Sequence, residues 1–148
     1  MKFYLDTSIF GGFFDREFKR STKELFKFIK VNKIAILYSP VVEEELELAP
    51  AAVKLLAEKY LINAPYIKIT EEMVNLSQLY LQEGALTDKS ANDARHIAIA
   101  TISRCSAIIS WNFKHMTNFV KIKQYNSINL RQGYGTISIH TPRQITGY

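Results

Sequence analysis

Four short apolar runs, FYL, AILY, AIIS and TISI, are separated along this chain by longer segments whose apolar residues recur at helical spacing. Strands that alternate with helices argue for a parallel sheet covered on both faces, which makes this alternation the tightest constraint on the fold. The runs predict strands at Phe3–Leu5, Ala35–Tyr38, Ala107–Ser110 and Thr136–Ile139, with Tyr66–Ile69 as a weaker candidate. The expected class is therefore α/β, with a central parallel sheet.

Several helices carry a start signal. Ser21 stands three before Glu24, and Leu25, Phe28 and Ile29 supply the apolar stripe. Thr141 stands three before Gln144, with Pro142 suited to the first helical position. Further helices are expected over Val41–Ala49, Ala51–Tyr60, Glu71–Glu83 (closed by Gly84) and Ala91–Ser103. With no repeat or linker, the 148 residues are expected to form one domain, 1–148.

Composition narrows the class. No apolar run approaches the roughly 18 residues of a membrane span, and Met1-Lys2-Phe3 leads directly into strand pattern rather than a signal peptide. A soluble, cytoplasmic protein is expected. Cys105 is the only cysteine, which excludes an internal disulfide and a cysteine-built zinc site. The net charge is +5, and every acidic residue lies at or before Asp93. After Asp93 the charged residues are all basic, Arg95, Arg104, Lys114, Lys121, Lys123, Arg131 and Arg143, and a second basic cluster, Arg16, Lys19, Arg20, Lys23, Lys27, Lys30 and Lys33, follows the first strand. A basic surface around a few convergent acids suits a polyanionic ligand.

In parallel sheets, ligands bind beyond the carboxyl ends of the strands. Asp6 stands there after FYL, and is either a turn or helix cap or a site carboxylate. In SPVVEEELELAP, Glu45 has Val41, Val42, Leu48 and Ala49 at its helical neighbour positions, so of the four glutamates it turns most nearly toward the core. A carboxylate buried there needs a partner or a metal. Asp93 falls in the first turn of an amphipathic helix, three after Ser90, where it is a cap or a site acid. Asn112, the first polar residue past Trp111, is expected to start a helical stretch as a cap.

YLDTSIF, SPVVEEEL, NDARHIAIA and SWNFKHM resemble, in order and spacing, the four successive acidic motifs of the PIN domain. Within it they resemble the VapC-type toxin ribonucleases, in a branch where SWNFKH replaces the usual fourth motif. The resemblance runs from Met1 to about Gln144, including the tail NSINLRQGYGTISIHTP. It implies a three-layer α/β/α sandwich, a homodimer, an antitoxin partner and an RNA substrate. It also implies Mg2+ or Mn2+ held by Asp6, Glu45 and Asp93, with Asn112 at the place of a fourth aspartate.

Hard cations take oxygen ligands, and three acids brought to one sheet edge repel one another until a cation neutralises them. Asn112 could still supply a carbonyl oxygen, but one negative charge fewer predicts one well-bound metal and a second only with substrate. Asp15 or Asp88 could compensate. Thr7 and Ser8 are expected to orient Asp6 or bind phosphate, Arg95 and Lys114 to contact phosphate, and His96 to line the mouth or act behind it. The alternative is a PIN module that binds RNA or a protein partner with little or no hydrolysis. A phosphotransferase of haloacid-dehalogenase type fits poorly, because that family needs a second Asp where Ser8 stands. A receiver domain fits poorly too, lacking an early pair of adjacent acids.

Overall fold

The computed structural model describes Met1–Tyr148 and contains one four-stranded parallel sheet. Its strands are β1 (Lys2–Leu5), β2 (Ala35–Leu37), β3 (Ala107–Ile109) and β4 (Ile139–His140), in the order β2-β1-β3-β4. Tyr4 pairs with Leu37 on one side and Ile108 on the other, so β1 is central. All three residues of β3, and Phe3, Tyr4 and Leu5 of β1, are buried, as expected for strands covered on both faces.

The helices are α1 (Thr7–Gly12), α2 (Lys19–Val31), α3 (Pro40–Glu47), α4 (Ala51–Leu61), α5 (Glu71–Gln82), α6 (Ala91–Ile102), α7 (Phe119–Arg131) and α8 (Pro142–Thr146). On one side α1 packs against α2, α3 and α4, with α8 on α2; on the other α5 packs against α6 and α7; and α3 touches α6 across the two. The sheet lies between helical layers, giving the expected three-layer α/β/α sandwich. One apolar core of 36 residues runs through it. Each fully buried Leu or Ile there contributes about 1.5–3 kcal/mol. No helix is long and apolar enough to cross a membrane.

The strand order places the site. From β1 the chain moves to β2 on one flank, then returns past β1 to build β3 and β4 on the other. The crevice between the carboxyl ends of β1 and β3 is therefore a topological switch point, where parallel sheets leave room for a ligand. Asp6 follows β1 there, and Ser110-Trp111-Asn112 follows β3.

Several elements depart from the sequence expectations. Thr136–Ser138 lie outside β4, because Asn126 on α7 takes both the amide and the carbonyl of Ile137 at 2.8 and 3.0 Å. Tyr66–Ile69 forms no strand: β2 ends as Ser39-Pro40 turns into α3, leaving a single bridge from Tyr66 to Tyr38. Helix α2 begins before Ser21, whose hydroxyl instead donates to the Tyr148 carbonyl at 2.5 Å. The turn leading into α2 is closed by Asp15, which accepts from the amides of Glu17 and Phe18. Ser90 makes no side-chain cap to α6. The stretch after Asn112 is a turn, and the helix starts later, at Phe119, capped by Asn118. Thr141 and Gln144 form the expected reciprocal cap.

Candidate active site

The end of β1 delivers Asp6, and the backbone turns at once into α1. Asp6 caps that short helix by accepting from the Ser8 amide at 3.0 Å, so capping and site roles coexist in one side chain. The carboxylate is only 4% exposed. Its Oδ1 also accepts from the Ser8 hydroxyl, and its Oδ2 from the Ser110 hydroxyl at 2.5 Å. Both hydroxyls tie back to β3: Ser8 Oγ accepts from the Trp111 amide and Ser110 Oγ from the Asn112 amide, each at 2.9 Å. Asp6 is thus a fixed joint between the two central strands.

Glu45 enters from α3. It is half-buried, whereas Glu43, Glu44 and Glu47 are exposed, as the helical neighbour argument required. Val41 and Val42 account for that orientation; Leu48, which the argument also used, lies past the helix end and is 90% exposed. Thr7 Oγ1 donates to Glu45 Oε1 at 3.0 Å, and His96 Nε2 bonds the same oxygen.

His96, on α6, is 1% exposed. This burial corrects any expectation that it meets substrate. Its Nδ1 lies 2.5 Å from the Tyr4 hydroxyl, which lies 2.8 Å from Ser39 Oγ. With Tyr4 donating to a neutral ring or accepting from a protonated one, Nε2–H faces Glu45 in either case. A chain Ser39–Tyr4–His96 therefore fixes Glu45 from behind. Sequence reasoning missed Tyr4, Ser39 and Ser110 because apolar runs around them gave no chemical signal.

Asp93 comes from the first turn of α6 and is half-buried. Asn112 Nδ2 donates to its Oδ2 at 3.3 Å, joining it to the β3 end. Asn112 itself is oriented by its Oδ1, which accepts from the amides of Lys114 and His115 at 3.1 and 3.0 Å. The carbonyl oxygen expected as a metal ligand is therefore engaged by backbone, and Asn112 presents an amide N–H to the acids instead. An aspartate here would set a second carboxylate against Asp93; asparagine offers a donor.

The acids feel one another. Burial pushes the Asp6 carboxyl above the usual range, and Glu45 adds to this, while His96, Ser110 and Ser8 oppose it. Burial also lifts Asp93, to about 6, with the charges of Asp6 and Glu45 contributing. For Glu45, burial is outweighed by the bond and charge of His96 and the Thr7 bond, so its carboxyl sits below the usual range. No lysine or arginine pairs with any of the three, and His96 bonds Glu45 alone among them.

These donors suit a hard divalent cation in chemistry: carboxylate oxygens, mutual repulsion and no competing Lys or Arg. No group of three or more His, Cys, Asp or Glu side chains stands arranged to hold an ion by itself. A magnesium ion, which keeps several waters and binds through one or two carboxylates, does not need all three acids closed around it.

The remaining expected residues are placed as follows. Thr7 and Ser8 are turned onto Glu45 and Asp6. Arg95 is exposed, 3.9 Å from Glu44. Lys114 is exposed beside Asn112. Asp15 is occupied with the turn before α2, and Asp88 is exposed in the turn before α6, so neither compensates for Asn112. A groove of about 530 Å3 between α3 and α4, lined by Tyr38, Leu46, Leu61 and Ile62 among others, shares no residue with the cluster.

No family model and no curated protein matches the sequence. Solved structures do match. A chain of VapBC2 from Rickettsia felis, bound to a DNA fragment from their promoter, has a TM-score of 0.63 at 13% identity, covering 95% of this chain and 98% of that one. A chain of FitAcB from Neisseria gonorrhoeae gives 0.61 at 12% identity, over 95% of this chain and 97% of the other. A toxin-antitoxin complex from Klebsiella pneumoniae gives 0.56 at 22%, over 80% and 92%. At these identities the likeness establishes a shared fold.

Proposed function

We propose that the protein is a divalent-metal-dependent endoribonuclease that hydrolyses RNA phosphodiester bonds, and that it is the toxin of a toxin–antitoxin pair. The observation that carries this reading is that Asp6, Glu45 and Asp93, from three distant segments, lie at the switch point of a parallel sheet within range of one another's charge, with no lysine or arginine paired to them. An antitoxin partner is part of the proposal, supported by the toxin–antitoxin complexes among the similar folds, and homodimerisation is a further part of it that rests on the family resemblance alone.

Asp6, Glu45 and Asp93 would hold Mg2+ or Mn2+. When bound, such an ion polarises a phosphodiester and lowers the pKa of a water. The chain's own residues supply order around it. Ser8 and Ser110 hold both oxygens of Asp6, Thr7 and His96 hold one oxygen of Glu45, and Asn112 holds one oxygen of Asp93. Asp6 and His96 are buried and Asp93 is half-buried, so solvent and substrate would reach the cluster from the Asp93 side. Lys114, exposed two residues from Asn112, would draw a polyanion toward the cluster.

The test is cleavage of RNA by the purified protein with Mn2+, compared with Asp6→Asn and Asp93→Asn. Metal-dependent cleavage that both substitutions reduce by more than about 100-fold supports the reading. A second reading, a module that binds RNA or a protein partner without hydrolysis, is favoured by the engaged oxygen of Asn112. Cleavage no higher than that of the substituted proteins, with any divalent metal, selects it.

A further inference from the structure

The carboxylate cluster marks where a phosphodiester would sit but not what holds the nucleobase beside it. Directly after Asn112, Phe113 is 54% exposed, and Lys114 next to it is exposed too. The Phe113 ring rests on a rigid wall. It lies 5.9 Å from Phe18 and 6.1 Å from Trp111, which stack on each other at 4.2 Å. The Arg143 guanidinium covers both at 5.8 and 5.6 Å, and is itself bound to Ser21 Oγ and the Glu17 carbonyl.

Trp111 is pinned at both ends, by its amide to Ser8 Oγ at 2.9 Å and by its indole N–H to Thr22 Oγ1 at 3.0 Å. Gly12 packs so closely that an added Cβ would meet Thr22 Oγ1 at 2.5 Å and Trp111 Nε1 at 2.7 Å. The exposed ring therefore stands on an aromatic base held by bonds at both ends, whose anchor, Ser8, also holds Asp6.

An exposed phenylalanine is ordinary when isolated. This one differs in position, one residue from Asn112, in its rigid backing, and in its charged surroundings. The segment carrying Phe18 leads into a shallow groove of about 340 Å3 lined by Arg16, Lys19, Arg20, Lys23, Glu24 and Lys27. An aromatic face beside a basic track suits single strands, whose bases expose their faces to stacking while lysine and arginine follow the phosphates.

We propose that Phe113 is a stacking platform for an unpaired RNA base next to the scissile position, with Lys114 and the basic side of α2 tracking the phosphates of the same strand. This rests on reading the carboxylate cluster as a phosphodiester site. It goes further in naming the residue beside that site that would hold an unpaired base.

The experiment measures binding without cleavage, in the Asp93→Asn protein with EDTA. The probe is a fluorescein-labelled unstructured RNA of about ten nucleotides, beside a duplex of the same length. Phe113→Ala is expected to weaken single-strand binding about 5- to 150-fold. Phe113→Trp restores it, and the slope of log K against log salt does not change. Lys19→Ala with Lys23→Ala instead lowers that slope by about 1.4. Unchanged binding in Phe113→Ala, equal binding of the duplex, or no RNA binding by the parent would each overturn the proposal. Cleavage with Mn2+ is measured separately on the unsubstituted protein. Phe113-dependent binding without cleavage retires the hydrolase and keeps the platform, whereas cleavage with no Phe113 dependence in binding does the reverse.

Discussion

Asp6 and Asp93 are the same residue type facing the same crevice, yet their surroundings are opposite. Asp6 is buried and receives three donors from Ser8 and Ser110, which lock the ends of β1 and β3 together. Asp93 is half-buried and receives one long bond, at 3.3 Å, from Asn112. The difference separates two tasks within one cluster. The Asp6 side is a scaffold whose charge is already partly satisfied by fixed dipoles, and the Asp93 side is an under-satisfied acid, the one on which the proposed cation would act most.

The largest expected effect comes from removing either acid's charge. Asp6→Asn and Asp93→Asn should each lower Mn2+-dependent RNA cleavage by more than about 100-fold. Stability should then tell them apart in denaturant titrations, with Asp6→Asn lowering it and Asp93→Asn leaving it equal or higher at pH 8. Next comes Ser110→Ala, which strips one donor from Asp6 and the acceptor from the Asn112 amide. A loss of about 10- to 100-fold in activity is expected, with about 1–3 kcal/mol of stability. Removing the corresponding donor from Asp93, through Asn112→Ala, should cost less stability.

The pH dependence of stability sharpens the same contrast. A carboxyl raised in the folded state contributes stability fully present below its unfolded pKa and lost as pH rises through the folded one, about 6 for Asp93. Glu45, held low, contributes stability above the usual carboxylate range that disappears in acid. Metal-free protein should therefore lose Tm as pH rises between about 4 and 6 on account of Asp93, with Asp6, whose carboxyl burial also raises, adding to the loss. Asp93→Asn should flatten that fall, and Mn2+ should raise Tm more at pH 8 than at pH 5. The smallest effect belongs outside the cluster. Arg95→Ala, which breaks an exposed pair with Glu44 at 3.9 Å, should change stability by less than about 0.5 kcal/mol.

Much of this arrangement was legible in the sequence, for identifiable reasons. Strand runs that end in Asp6 or lead to Asn112 place those residues at one sheet edge, and apolar neighbours on α3 single out Glu45. The hidden parts depend on partners distant in the chain. Helix α7 was masked because its inward face carries Asn129, satisfied by Tyr80, Thr101 and Asn126 rather than by apolar packing. The shortened β4 follows from Asn126 capturing Ile137. His96 reads as one more polar residue on a helix until Tyr4 and Glu45 are seen on either side of it. No spacing rule reveals that the Asn112 oxygen turns toward the amides of Lys114 and His115.

Calorimetric titration of Mn2+ into the metal-free protein at pH 8 addresses the shared cation most directly. One ion per chain is expected, with affinity reduced at least about tenfold by Asp6→Asn and by Asp93→Asn alike. Absence of binding, or an affinity that neither substitution alters, would contradict a cation shared by these acids.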